Sequence, residues 1–253
     1  MLMKIYIYIL FKEKFINLDD LIKIFSEINI NEIIYERKDI EELFKPVIIY
    51  PKKIEYIGIG LKKPLKGIQQ GLIYSIEFID YIATFNNEKV YIAIDIHGNT
   101  ALNNLSLKEC YITRLGGEGR TVTVKFSKKR YLWDKIRGLI DSMSSAQEYL
   151  VYMLTPSLMR TPLKDLKPLI TPRTMSISVA NVCVELLAGR LDILGAGFDI
   201  RYGVKKPVYA SIIPGSLLRI KDKQLTPFEI YRKGLSEIGS KLGYGTFVPL
   251  PIS

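Results

Sequence analysis

The chain has 253 residues, enough for one large domain or two small ones. Its hydrophobic share of 48% beside a charged share of 25% is that of a globular protein with a sizeable core, and it excludes a low-complexity chain. A net charge of +10 at pH 7 selects an anionic partner, nucleic acid or a membrane surface, and no window approaches the length that crosses a bilayer.

Met1–Phe11 is an Ile/Tyr alternation followed by Lys12-Glu13-Lys14, with no small-residue cleavage site. This predicts a first strand over Lys4–Phe11 rather than a signal peptide. Asn17-Leu18-Asp19-Asp20 supplies a cap and early acids for a helix through Leu21, Ile24, Phe25 and Ile28. Residues 31–45 form either a second helix or a mobile segment, and Val47–Tyr50 is a short strand stopped by Pro51. Ile54–Leu61 alternates as a strand does. Gly71–Tyr81 and Lys89–Ile96 read as two long strands of one sheet, with Asn86-Asn87 as the turn between them. Leu107–Thr113 is helix or strand.

Arg114-Leu115-Gly116-Gly117-Glu118-Gly119-Arg120 follows, with three glycines in four positions. A helix interior would lose about 1 kcal/mol at each, whereas a loop gains backbone able to lie close against another surface. The strand Thr121–Phe126 and then Lys128-Lys129-Arg130 come next, so that residues 114–137 hold eight basic side chains against Glu118 and Asp134. Residues 1–45, by contrast, carry seven basic and nine acidic side chains. A loop framed by Arg114 and Arg120 suits a phosphate backbone. The aromatics Tyr131 and Trp133 among the cations suit base stacking.

Tyr131–Ser142 is a short basic helix, and Ser144–Glu148 is a polar link that marks a domain boundary. Tyr149–Leu154 is a strand. Pro156, Pro162, Pro168 and Pro172 mark an extended, irregular excursion, and Thr174–Leu187 is a long β-rich run. A second glycine loop, Gly195-Ala196-Gly197-Phe198, precedes Arg201, Lys205 and Lys206. Ser211–Ile213 and Ser216–Ile220 are strands around Pro214-Gly215. Thr226-Pro227-Phe228-Glu229 starts a helix that runs to about Lys241, with a cap, an early proline and an acid three residues on. A third glycine loop, Leu242 to Val248, feeds the last strand. The order of strands, helix, glycine loop and strand suits a ferredoxin-like unit. The expected fold is α+β, with two ferredoxin-like (RRM-like) folds over 1–143 and 144–253.

Little here moves protons or holds metal. His97, the one histidine, stands in Asp95-Ile96-His97-Gly98-Asn99 at a strand end, where such a residue is most often structural. There is no Walker A sequence, and Ile200 stands where Gly195 and Gly197 would need a third glycine. Asp192 and Asp199 lack a persuasive metal spacing. Cys110 and Cys183 belong to no metal motif and read as buried thiols in a reducing cytoplasm, the expected location. These residues point to binding, with no catalytic residue, metal or cofactor.

Several stretches together resemble the third subunit of the Cmr (type III-B) CRISPR effector complexes, of the RAMP superfamily. They are Ile57-Gly58-Ile59-Gly60-Leu61 with Gly71-Leu72-Ile73-Tyr74; Leu115-Gly116-Gly117-Glu118-Gly119-Arg120; Gly195 to Phe198 with Lys206-Pro207; Ile213-Pro214-Gly215-Ser216; and Gly243-Tyr244-Gly245-Thr246-Phe247. The resemblance covers the chain from Tyr56 to its end. It implies two ferredoxin-like folds, binding of the crRNA 5′ handle, and a hetero-oligomer with the large cyclase-bearing subunit on one side and the backbone RAMP subunit on the other. Target cleavage belongs to that neighbour. The family opens with an Arg-Asp-Gly-x-Pro-Phe-like strand that Met1–Tyr50 lacks, so no RNA contact is carried over there.

Under this reading Arg114, Arg120, Lys125, Lys128, Lys129 and Arg130 neutralise phosphates. Gly116, Gly117, Gly119, Gly243 and Gly245 let backbone amides approach the RNA, and Tyr244 or Trp133 stacks on a splayed base. Glu118 holds an arginine or accepts from a base. Two rivals stand beside it: a metal-independent endoribonuclease maturing crRNA with His97 as general base, and a docking subunit that does not touch RNA.

Overall fold

The computed structural model describes residues 8–11, 14–27, 47–61, 68–86, 90–91, 110–115, 120–126, 131–143, 146, 148–161, 169–170, 175–195, 198–199, 202–205, 207–221 and 225–252. They belong to two compact units, Met1–Val90 with Leu139–Ser253, and Tyr91–Gly138. The fold is mixed α and β, and every strand pair described is antiparallel.

In the first unit, β1 (Tyr8–Phe11) and β2 (Lys14–Asn17) form a hairpin that leads into α1 (Leu18–Glu27). The Asn17 side chain accepts from the Asp19 N–H at 2.8 Å, the cap expected from the sequence. Leu18, Leu21 and Phe25 recur at helical spacing and are buried. Val47–Tyr50 contributes one bridge rather than a strand, Ile49 with Phe15. β3 (Lys52–Leu61) pairs with β4 (Ile68–Asp80), from Lys52↔Asp80 to Leu61↔Ile68. After β4 the chain continues into a helical turn, α2 (Tyr81–Thr84). The Asp80 carboxylate accepts from Ala83 N–H and the Thr84 hydroxyl donates to the Asp80 carbonyl, which ends the strand. Lys89 and residues 92–96 lie outside the described residues, as do residues 31–45.

The second unit contains the hairpin of β5 (Cys110–Leu115) and β6 (Arg120–Lys125). The helix α3 (Tyr131–Ser142) begins in it and ends in the first unit.

The rest of the first unit is built on a six-stranded sheet. Its strands include β7 (Glu148–Met153), with the short β8 (Ser157–Met159) following it in a different sheet. β9 (Leu169–Ile170), β10 (Met175–Val179) and β11 (Val182–Ala188) come next. The β-rich run expected over Thr174–Leu187 is a hairpin, reversed at Ala180 and Asn181, both at positive φ. β12 (Leu191–Gly195), β13 (Phe198–Asp199), β14 (Val204–Lys205) and β15 (Val208–Ile212) lead to β16 (Leu217–Lys221). α4 (Pro227–Lys233) and β17 (Phe247–Leu250) close the chain. The large sheet runs β17-β7-β16-β11-β10-β9, and a smaller one runs β12-β15-β8. The two strands expected around Pro214-Gly215 therefore lie in different sheets. The proline-rich excursion contains a fully buried strand, β8.

One face of the large sheet carries Tyr149, Val151, Met153, Val182, Val184, Leu218, Ile220 and Phe247, in a core completed by Ile230, Leu235, Ala210 and Ile212. On the other face α1 packs against β17, and the Phe25 ring stands 6.1 Å from Tyr152. Covering both faces explains why five consecutive residues of β7 are buried. Burial also pushes the Tyr152 phenol pKa up. On that face Arg219 donates to Glu185 at 2.7 Å and pairs with Glu148 at 3.4 Å.

Cys110 and Cys183 are exposed, not buried. In β11 the inward residues are Val182, Val184 and Leu186, so a period of two turns Cys183 outward. The helix expected to reach Lys241 stops at Lys233. Gly234 takes φ +73, the chain reverses, and a 3₁₀ turn at Ser240–Leu242 follows. No helix among the described residues is long and apolar enough to cross a membrane.

Candidate nucleic-acid interface

The basic loop rests on β5 and β6, whose register runs from Cys110↔Lys125 to Leu115↔Arg120. Paired residues share a face, and successive pairs alternate between faces. Cys110, Ile112 and Arg114 of β5 therefore lie on one face with Lys125, Thr123 and Thr121 of β6. All six are exposed. No ion pair among the described residues engages Arg114 or Lys125. They are four register positions apart, about 13 Å along the ribbon.

Arg114 pairs with Thr121, whereas Arg120 takes the next position, opposite Leu115. The partner of Arg114 on its face is Lys125. Thr121 and Thr123, which sequence reasoning did not single out, complete that face with hydroxyls. Counting in twos from Arg114 and Lys125 across the hairpin would have found them. Gly116, Gly117, Glu118, Gly119, Lys128, Lys129, Arg130 and His97 lie outside the described residues.

On α3, Trp133 is half-buried and falls at helical spacing with the buried Ile136 and Ile140, while Arg137 is exposed. That spacing assigns Trp133 to the packed side of its helix.

The closing glycine loop belongs to the first unit, and its backbone is already engaged. Gly243 N–H donates to Ser240 O at 3.0 Å, Tyr244 N–H to Gly239 O at 3.3 Å, and Gly245 N–H to Pro156 O at 2.8 Å. The Gly243 carbonyl accepts from the Thr155 and Thr246 hydroxyls at 2.6 and 2.8 Å. Gly243 and Gly245, whose amides were expected to approach RNA, thus stitch the last turn to the start of β8. Gly245 is needed for packing, because at φ +74 a Cβ there would stand 2.4 Å from the Leu235 carbonyl carbon. Tyr244 is half-buried, its ring laid over Gly239. Among the described residues no three His, Cys, Asp or Glu side chains gather as a metal site.

Comparison with known proteins agrees with the resemblance seen in the sequence. The family model of CRISPR-associated protein (Cas_Cmr3) matches residues 21–249. No curated protein matches the chain. Among solved structures, a chain in the cryo-EM structure of the type III-B Cmr-beta bound to cognate target RNA is 15% identical with a TM-score of 0.46; the match covers 85% of this chain and 60% of that one. A chain of the same assembly bound to cognate target RNA and AMPPnP, state 1, is 16% identical with a TM-score of 0.42, over 98% of this chain and 75% of that one.

Proposed function

The chain belongs to the CRISPR-associated Cas_Cmr3 family, and from that premise we propose that it is a non-catalytic RNA-binding subunit of a type III-B effector ribonucleoprotein in antiviral defence. It holds the crRNA 5′ handle and joins the large cyclase-bearing subunit to the backbone RAMP subunits, in the cytoplasm. The observation that carries the RNA contact is the exposed face of Arg114, Thr121, Thr123 and Lys125. Two cations without a counter-ion among the described residues, flanked by hydroxyls, suit a phosphate backbone. Arg120, Lys128, Lys129 and Arg130 add charge to the same segment, and its glycines allow close approach of the strand.

Two ferredoxin-like folds, over 1–143 and 144–253, belong to this reading. In the large sheet, β7 lies between β17 and β16, and β11 lies outside β16. A ferredoxin-like unit sets its first strand between the fourth and the third, with the second outside. That order supports the C-terminal assignment, with α4 as the helix before the last strand.

A second reading, docking on an acidic protein surface without RNA, is favoured by Ile112, which is 76% exposed on the same face. A salt titration separates the two. Each cation on single-stranded RNA contributes about 0.7 to the slope of log affinity against log salt. Arg114→Ala with Lys125→Ala is expected to lower that slope by about 1.4, and to weaken different sequences alike. A parental slope retained by the double variant, with loss of partner subunits, would assign the face to protein.

A further inference from the structure

The glycine loop at Gly195–Phe198 and the cations after it play no part in the interface above. β12 and β15 pair from Leu191↔Ile212 to Gly195↔Val208, and β13 and β14 pair as Phe198↔Lys205 and Asp199↔Val204. Tyr202 lies in the stretch that joins β13 to β14. β8 flanks β15 only at Ala210–Ile212. The β13–β14 ladder is two-stranded among the described residues.

Isolated two-stranded ribbons are marginal in water, and this one exposes apolar side chains: Tyr202 is 69% exposed, Val208 67% and Val204 54%. Lys205 is exposed between the valines. At the ribbon's base Arg190 is matched by Asp192 at 3.2 Å. Toward the tip the sequence holds Arg201, Lys205 and Lys206 against Asp199 alone. An apolar protein groove would match the valines and leave this positive excess uncompensated. An exposed aromatic ring among cations is the pattern of a stacking platform for single-stranded nucleic acid.

We propose that this ribbon is a second RNA contact, in which Tyr202 stacks on an unpaired base and Lys205 neutralises a neighbouring phosphate. The inference rests on the RNA-binding reading above and uses none of its residues.

The test is equilibrium binding of the full chain to a fluorescently labelled single-stranded RNA containing 2-aminopurine, at several salt concentrations. Tyr202→Ala is expected to weaken binding roughly 5- to 100-fold at an unchanged salt slope, and to abolish the quenching of 2-aminopurine. Tyr202→Phe, which keeps the ring, is expected to retain both. Lys205→Ala is expected to lower the slope by about 0.7. Thermal unfolding of each variant reports whether the fold is intact. If the parental chain responds to Arg114→Ala with Lys125→Ala but ignores Tyr202→Ala and Lys205→Ala, the ribbon proposal falls and the proposed function stands. A parental chain without RNA affinity overturns both. Intact RNA binding in the ribbon variants, with lost association to other subunits, assigns the ribbon to protein.

Discussion

Two glycines two positions apart in the closing loop carry different loads. Gly245 is buried at φ +74, with Leu235 backbone where a Cβ would go, while Gly243 at φ +90 has nothing within 4 Å of that position. Gly245→Ala is therefore expected to lower unfolding free energy by at least about 2 kcal/mol, from left-handed strain plus displaced backbone. Gly243→Asn adds only an open side chain to a conformation that Asn tolerates, and should cost about 1 kcal/mol or less. Denaturant titration ranks the two, and equal losses would contradict the assignment. Thr226 and Glu229 form a capping box at α4. Hydrogen bonds from the Thr226 backbone N–H, and then from its hydroxyl, hold the Glu229 carboxyl below its ordinary pKa. A depressed carboxylate stabilises the fold above its unfolded value, about pH 4.3, and that contribution is lost as pH falls through the lower folded value. Glu229→Gln should flatten the acid limb of stability over that window. An unchanged limb would show that the box contributes nothing. Residues of this kind were legible when local signals fixed them, as the Thr-Pro-x-Glu start of α4 did. The amides of Gly243 and Gly245 were not, because their acceptors, Ser240 O and Pro156 O, are chosen by tertiary folding.

Elements with a strong period were readable: α1, α3, and the strands at 52–61, 120–125 and 148–153 emerge close to their expected bounds. Pairing was less so. That β3 and β4 form one hairpin was not legible, because alternation reports the two faces of a strand and not its partner. The reversal between β10 and β11 escaped notice because Ala180-Asn181 lacks the usual glycine. Both residues stand at positive φ, 52 and 64. Ala180 is held there while its carbonyl accepts from Lys233 Nζ at 2.6 Å. Left-handed backbone costs an L residue with a Cβ about 1–2 kcal/mol, partly offset in a glycine variant by a freer unfolded chain. Ala180→Gly is thus expected to stabilise the protein by about 0.5–1 kcal/mol in denaturant titration. A loss of stability would mean that the buried methyl group outweighs the turn.

At the scale of the molecule, the first 50 residues had no match to the family's opening strand, yet α1 from that stretch covers one face of the sheet built by residues 148–250. Sequence patterns report which side of a helix is apolar and not which sheet receives it. The charge of the chain was legible as an attraction to an anion. What it could not show was that Arg114 shares its face with Lys125, because the register of the hairpin decides this. The non-catalytic reading predicts that the purified chain leaves repeat RNA uncut with or without divalent metal; specific cleavage lost in His97→Ala would overturn it. The central claim is that RNA lies on the β5–β6 hairpin, and it is tested most directly by photo-crosslinking in the native ribonucleoprotein, followed by mass spectrometry of the nucleotide-bearing peptides. The account predicts nucleotide adducts within residues 110–125, diminished by Arg114→Ala with Lys125→Ala. Nucleotide adducts confined to other segments, with residues 110–125 crosslinked to a protein neighbour, would contradict it.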